Sequence, residues 1–111
     1  MEDCIFCRIA SGDIPAERIY EDDKMLVFSD VAPAAPVHVL MIPKKHVANV
    51  LEADSETISY MLGKVKMITA KLGIDSKGFR VVINTGADGG QTVPHLHIHI
   101  LGGKTLGWPP C

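Results

Sequence analysis

A chain of 111 residues, 47% hydrophobic and carrying a net charge of −2, is long enough for one cored domain and too apolar for disorder. The near-neutral charge, without a block of one sign, excludes a nucleic-acid binder that relies on a basic stripe, and no apolar run approaches the ~20 residues of a membrane span. The opening MEDCIFCRIA lacks the basic stretch of a signal peptide, and three cysteines do not make a secreted disulfide framework. A single domain over residues 1–111, soluble and cytoplasmic, with thiols reduced or on a metal, is therefore expected. Cys111 reads as an exposed thiol without function.

Residues 4–12, CIFCRIASG, form an expected short helix stopped by Gly12. AERIYED and KMLVFSD, residues 16–22 and 24–30, read as two strands around an acidic turn at Asp22 and Asp23. Pro33 and Pro36 make VAPAAP a loop, and VHVLMIPKKH resumes strand character until Pro43. Ile58, Met61, Leu62, Val65, Ile68 and Leu72 recur at helical steps and predict one long helix over residues 55–72. Asp54 or Ser55 caps its start and Gly73 ends it. GFRVVINTG is a strand, residues 86–94 are a glycine-rich loop, and HLHIHIL, residues 95–101, alternates as a final strand. Five strands, one long helix and a short N-terminal helix make an α+β domain, with an antiparallel sheet because most connections are too short for crossovers.

Strand alternation puts His95, His97 and His99 on one face and Leu96, Ile98 and Ile100 on the other, which must be the core. Neighbouring imidazoles on that face can share an ion, but the outer pair stands about 13 Å apart at Cα, so one metal held by all three needs strong distortion. A neutral imidazole is also a nucleophile or proton carrier at pH 7. The preceding loop, with Gly86, Gly89, Gly90 and Thr92, has the composition that lets backbone N–H groups approach phosphate oxygens. Together these suggest phosphorus chemistry.

The heptad HLHIHIL, with IPAERIYEDD, FSDVAPAAPVHVLMIPKKH, NTGADGGQTVPHLHIHILGG and the closing GWPP, resembles the histidine-triad (HIT) superfamily, in particular its HINT-type branch. That resemblance implies hydrolysis of the P–N bond of adenosine or guanosine phosphoramidates. His97 is then the nucleophile that forms a nucleotidyl-histidine. His99 is placed to hold the phosphate and relay a proton, and His38 is a further imidazole at the site. Phe28 and Val31 resemble the base pocket, and Asp30 the acid that binds the ribose hydroxyls. Asn84, Gly90 and Thr92 match positions that hold phosphate and amide groups. The resemblance also implies a homodimer, in which the segment with Trp108 reaches the partner's active site.

CxxC alone leaves a redox pair, half a zinc site and two unrelated thiols open. A thioredoxin-like role lacks its βαβ context, and a closed zinc site needs two more ligands. In several bacterial and protozoan members of the family the matching ligands are the cysteine pair, the histidine of IPKKH and the first triad histidine, which implies structural zinc on Cys4, Cys7, His46 and His95. Catalysis itself needs no metal on that reading. A nucleotide-binding scaffold without turnover and a zinc-dependent hydrolase are the competing functional classes.

Overall fold

The computed structural model describes residues 3–110, so Cys111 lies outside the described residues. In chain order the elements are α1 (Ile5–Ser11), β1 (Arg18–Glu21), β2 (Met25–Ser29), β3 (Val37–Pro43), α2 (Ser55–Gly63), α3 (Val65–Leu72), β4 (Phe79–Val82) and β5 (Ile98–Gly102). The five strands form one antiparallel sheet in the order β1-β2-β3-β5-β4. The expected α+β class and strand count hold.

The sheet is buried on both faces, and alternation along each strand decides which residue goes where. Met25, Val27, Val39, Met41, Ile98 and Ile100 join Met61 and Ile68 of the long helical segment in one cluster. Leu26, Phe28, Leu40 and Ile42 face the opposite way and pack under α1 with Cys4, Phe6 and Ile9. His38 and His99 fall on this second face by the same alternation. In the β3–β5 register Leu40 pairs with His99 and His38 with Leu101, so the two histidines are diagonal neighbours across adjacent strands.

The helix expected over residues 55–72 is two helices broken at Lys64, whose backbone (φ −91°, ψ −9°) stays right-handed helical but tightens, its N–H donating to the Met61 carbonyl at 3.1 Å. Gly63 just before it is a weak helix former. The Lys64 ammonium is drawn over the rings of Tyr60 and Tyr20, at 5.1 and 5.7 Å from their centroids. The apolar stripe survives the break except at Leu62, which is exposed. Tyr20 and Tyr60 also donate their hydroxyls to Asp22 at 2.8 and 2.5 Å, tying the β1–β2 turn to α2.

The last strand starts later than expected, at Ile98. A ladder extended past the Met41–Ile98 pair would need an N–H from Pro43, which has none. The Leu96 N–H instead donates to the Val47 carbonyl at 2.8 Å. His95 and His97 therefore sit on irregular extended chain leading into β5, although their side chains keep the alternation.

Candidate active site

The three triad rings are brought to one side of the sheet but into two different neighbourhoods. His95 is wholly buried and His97 is 5% exposed. Phe6 of α1 packs edge-on against both rings, at 5.9 Å from His95 and 5.0 Å from His97 between centroids. The His97 and His99 rings lie 5.0 Å apart.

His97 is oriented by its own chain. Its Nδ1 lies 2.7 Å from the backbone carbonyl of His95. A carbonyl only accepts, so Nδ1 carries a proton, and the neutral ring keeps its lone pair at Nε2. His99 Nδ1 lies 2.9 Å from His38 Nε2, and His99 Nε2 is buried with no partner among the described residues. Burial, reinforced by the neighbouring imidazoles of His97 and His38, pushes the His99 pKa down to about 4, against a weaker opposing pull from Asp30. The ring is therefore neutral at pH 7. Asp30 Oδ2 stands 3.5 Å from His38 Nε2, while its Oδ1 accepts the Ala32 N–H at 2.8 Å and caps the VAPAAP turn.

The expected base-pocket pair is not assembled within the protomer. Phe28 is buried edge-on against Phe6, with centroids 5.6 Å apart, whereas Val31 is 98% exposed on the loop. Asn84 braces the glycine loop by donating Nδ2–H to the Gly89 carbonyl at 2.7 Å. Gly90 takes a positive φ of 77°, which favours glycine. Gly89 is required for space, since a Cβ there would lie 2.3 Å from the Thr85 carbonyl oxygen. Thr92 is exposed at the end of this loop. Two residues not singled out in the sequence complete the support. Gln91 accepts the Gly86 N–H at 3.0 Å and donates to the Ala48 carbonyl at 2.7 Å, pinning the loop to the segment after β3. Phe6 forms the wall behind the rings, and its position between the two cysteines was the only signal for it.

At the other end, Cys4, Cys7, His46 and His95 present one donor atom each, all within 4.8 Å of one another. Cys4 Sγ lies 3.3 Å and Cys7 Sγ 3.5 Å from His95 Nδ1, and Cys7 Sγ lies 3.3 Å from His46 Nδ1. Tetrahedral zinc with ordinary Zn–S and Zn–N bonds separates such atoms by ~3.6 Å. The cysteines come together because Cys4 is the N-cap of α1, its sulfur accepting the Cys7 N–H at 3.4 Å. His95 Nε2 lies 2.9 Å from the Pro43 carbonyl and donates to it, which turns the Nδ1 lone pair toward the sulfurs. Burial also pushes the His95 pKa down, keeping that lone pair free. Burial pushes the Cys7 thiol up, with Cys4 adding to the shift, so a cation would have to displace a thiol proton on binding.

The family described as the HIT domain matches residues 11–106. The chain belongs to the histidine-triad family. An uncharacterized HIT-like protein of Synechococcus elongatus is 55% identical over 112 residues, covering 98% of this chain and 97% of that one. A HIT family hydrolase of Legionella pneumophila superposes with a TM-score of 0.95 at 42% identity, over 98% of this chain and 100% of that one. A histidine triad nucleotide-binding protein of Candida albicans gives a TM-score of 0.86 at 35% identity, over 96% and 83% of the two chains. The histidine-triad match takes in His38, His46 and all three triad rings but starts after Cys4 and Cys7, so the cysteine end of the cluster stands on its own geometry. No helix among the described residues is long and apolar enough to cross a membrane.

Proposed function

We propose that this histidine-triad protein is a HINT-type nucleoside phosphoramidate hydrolase working through a nucleotidyl-histidine on His97. The observation that carries the reading is the orientation of His97. Its Nδ1–H is fixed by the His95 carbonyl at 2.7 Å, and its Nε2 lone pair is left for an electrophile. The attack of Nε2 on the α-phosphorus breaks the P–N bond and releases the amine. Water then attacks the same phosphorus and frees the nucleoside monophosphate and His97. Negative charge grows on the phosphoryl oxygens at both steps, and the unpartnered Nε2 of His99 is the side-chain group available to meet it. The departing amine takes up one proton from solvent water, and His99 is assigned to relay it, regaining at once the proton it gives. Asp30 is assigned to the ribose hydroxyls, Phe28 and Val31 to the base, and Asn84, Gly90 and Thr92 to the phosphate side. Val31, exposed in the protomer, would be covered by the base.

Structural zinc belongs to the same reading. Cys4, Cys7, His46 and His95 would hold it, and it would supply a cross-link between the N-terminal helix and the catalytic chain while leaving the chemistry to His97. A homodimer is proposed as well. β4 is an open edge strand carrying exposed Phe79 and Val81. Trp108, 83% exposed in the protomer, is assigned to the partner's active site. Reduced thiols as zinc ligands fit a cytoplasmic setting.

The test uses a fluorogenic adenosine phosphoramidate with wild type and His97→Ala, together with trapping of the intermediate and mass spectrometry. Wild type should turn over, the variant should lose at least about a thousandfold, and the nucleotide label should map to His97. A label on His95 or His99 refutes the nucleophile. Nucleotide binding without turnover by wild type reduces the protein to a binding module.

A further inference from the structure

We infer that the backbone N–H of Ala34 is a positioning group: it fixes the proton of His38 on Nε2 and, through it, the proton of His99 on Nε2. The cluster Asp30–His38–His99 is thereby a hydrogen-bond relay and not a second metal cage. The catalytic consequence rests on the hydrolase reading above, but the proton positions do not.

The chain of contacts starts at a group that cannot change its role. A main-chain N–H only donates, and that of Ala34 lies 3.0 Å from His38 Nδ1. Nδ1 of His38 must therefore accept, which leaves the proton of the neutral ring on Nε2. That nitrogen lies 2.9 Å from His99 Nδ1, so it donates and His99 Nδ1 accepts. The proton of neutral His99 is then forced onto Nε2, the buried atom with no partner among the described residues. An unmade hydrogen bond from a buried N–H is costly, so a donor left in this state is poised for a ligand acceptor.

The consequence for the triad is an opposition of roles between two identical side chains 5.0 Å apart. His97, held at Nδ1 by a carbonyl, offers a lone pair at Nε2. His99, held at Nδ1 by an N–H that traces back to Ala34, offers an N–H at Nε2. One ring attacks phosphorus and the other supports its oxygens, and the difference comes from the polarity of the backbone groups behind them.

The metal alternative is natural, because Asp30, His38 and His99 also present donor atoms within 4.8 Å of one another. Two observations oppose it. The 2.9 Å between the two ring nitrogens is a hydrogen-bond length, shorter than the ~3.4 Å between two nitrogen ligands of tetrahedral zinc. A cation on His38 Nε2 would also force a proton onto Nδ1, directly against the Ala34 N–H 3.0 Å away. In the cysteine cluster the S···N contacts of 3.3–3.5 Å lie closer to the ~3.6 Å of tetrahedral zinc, and the far nitrogen of His95 faces a carbonyl, that of Pro43, and not an N–H.

Long-range ¹H–¹⁵N correlation spectra of the zinc-loaded protein at neutral pH read the ring protons directly. The expected pattern is Nε2–H for His38 and His99 and Nδ1–H for His97. A proton on Nδ1 of His38 or His99, or an imidazolium at either, overturns the inference. Ala34→Pro removes the N–H; if that chain fails to fold, an amide-to-ester exchange at position 34 removes it without a new ring. Either should abolish the single proton position of His99 and lower kcat at least about tenfold, against the ~10²–10³ lost with a whole oxyanion donor. An unchanged His99 signature in the folded variant overturns the inference. Zinc titration should give one tight equivalent, and a second that disappears in His38→Leu would also overturn it. The expected proton pattern without hydrolysis by wild type sinks the hydrolase reading alone; hydrolysis with the proton of His38 on Nδ1 sinks this inference alone.

Discussion

Removing the Cys4–Cys7–His46–His95 clamp should cost stability far more than catalysis, and the size of the effect follows from chain connectivity. The contact between Cys4 and His95 spans 91 positions. In the chain-entropy treatment of cross-links, a loop of that length restricts the unfolded state by about 4.5 kcal/mol. A metal clamp delivers less than a covalent bond. Phe6 and Ile9 remain buried without it, and the thiol–imidazole contacts survive in part, so roughly half, about 2–3 kcal/mol, is expected. For a domain of this size that lowers Tm by about 10–15 °C. The assay is thermal unfolding by circular dichroism of zinc-loaded wild type, chelated wild type and the Cys4→Ser/Cys7→Ser double variant, with metal content measured on each. The double variant should match chelated wild type and ignore chelator. Hydrolysis at 25 °C should fall by less than about tenfold, because neither His97 nor His99 is among the clamp's donors. A Tm shift below about 2 °C on stripping a sample that held one equivalent of zinc would refute the reasoning. Less than about 0.1 equivalents in the purified protein would remove the metal assignment itself.

The lowered pKa of His99 makes a pH prediction with a definite sign. Between its folded value of about 4 and the ordinary value near ~6.5, the unfolded chain binds more protons than the folded one. Stability from this group is therefore complete above pH ~6.5 and is lost as pH falls toward 4, by about 2 kcal/mol after allowance for partial exposure. In the Cys4→Ser/Cys7→Ser background, where zinc release does not contribute, adding His99→Gln should flatten denaturant stability between pH 7 and 4; a parallel loss in both proteins contradicts the assignment. Gly89→Ala places a Cβ 2.3 Å from the Thr85 carbonyl oxygen, so the loop must shift. KM for a phosphoramidate should rise about tenfold while Tm moves by less than ~3 °C, because the loop is exposed. An unchanged KM would take this loop out of the phosphate site.

Much of the site was legible because its determinants are local. The alternation of HLHIHIL placed three imidazoles opposite three core residues, and that survives although β5 begins only at Ile98. The CxxC spacing fits a helix N-terminus, where Cys4 caps and Cys7 lies one turn on. Less legible were features set by partners distant in sequence. The helix over residues 55–72 has an unbroken apolar period, yet it breaks at Lys64, where Gly63 weakens it and the lysine moves over rings of β1 and α2. Phe28 and Val31, three residues apart, differ completely in burial because one ends under α1 and the other on an open loop.

By itself the sequence determined which side chains share a face, since side-chain direction in extended chain is a property of the backbone alone. It also determined the chemical types present at that face: imidazoles, a carboxylate, thiols and a glycine-rich loop. Only the tertiary structure decided which nitrogen of each imidazole is held and which is left free. A histidine's role depends on which nitrogen bears the proton, and that is set by whatever group stands behind the ring. The Pro43 carbonyl stands behind His95, the His95 carbonyl behind His97, and His38, itself held by the Ala34 N–H, behind His99. Two of those partners come from β3, more than fifty residues before the rings they orient, and no spacing within the heptad could have named them.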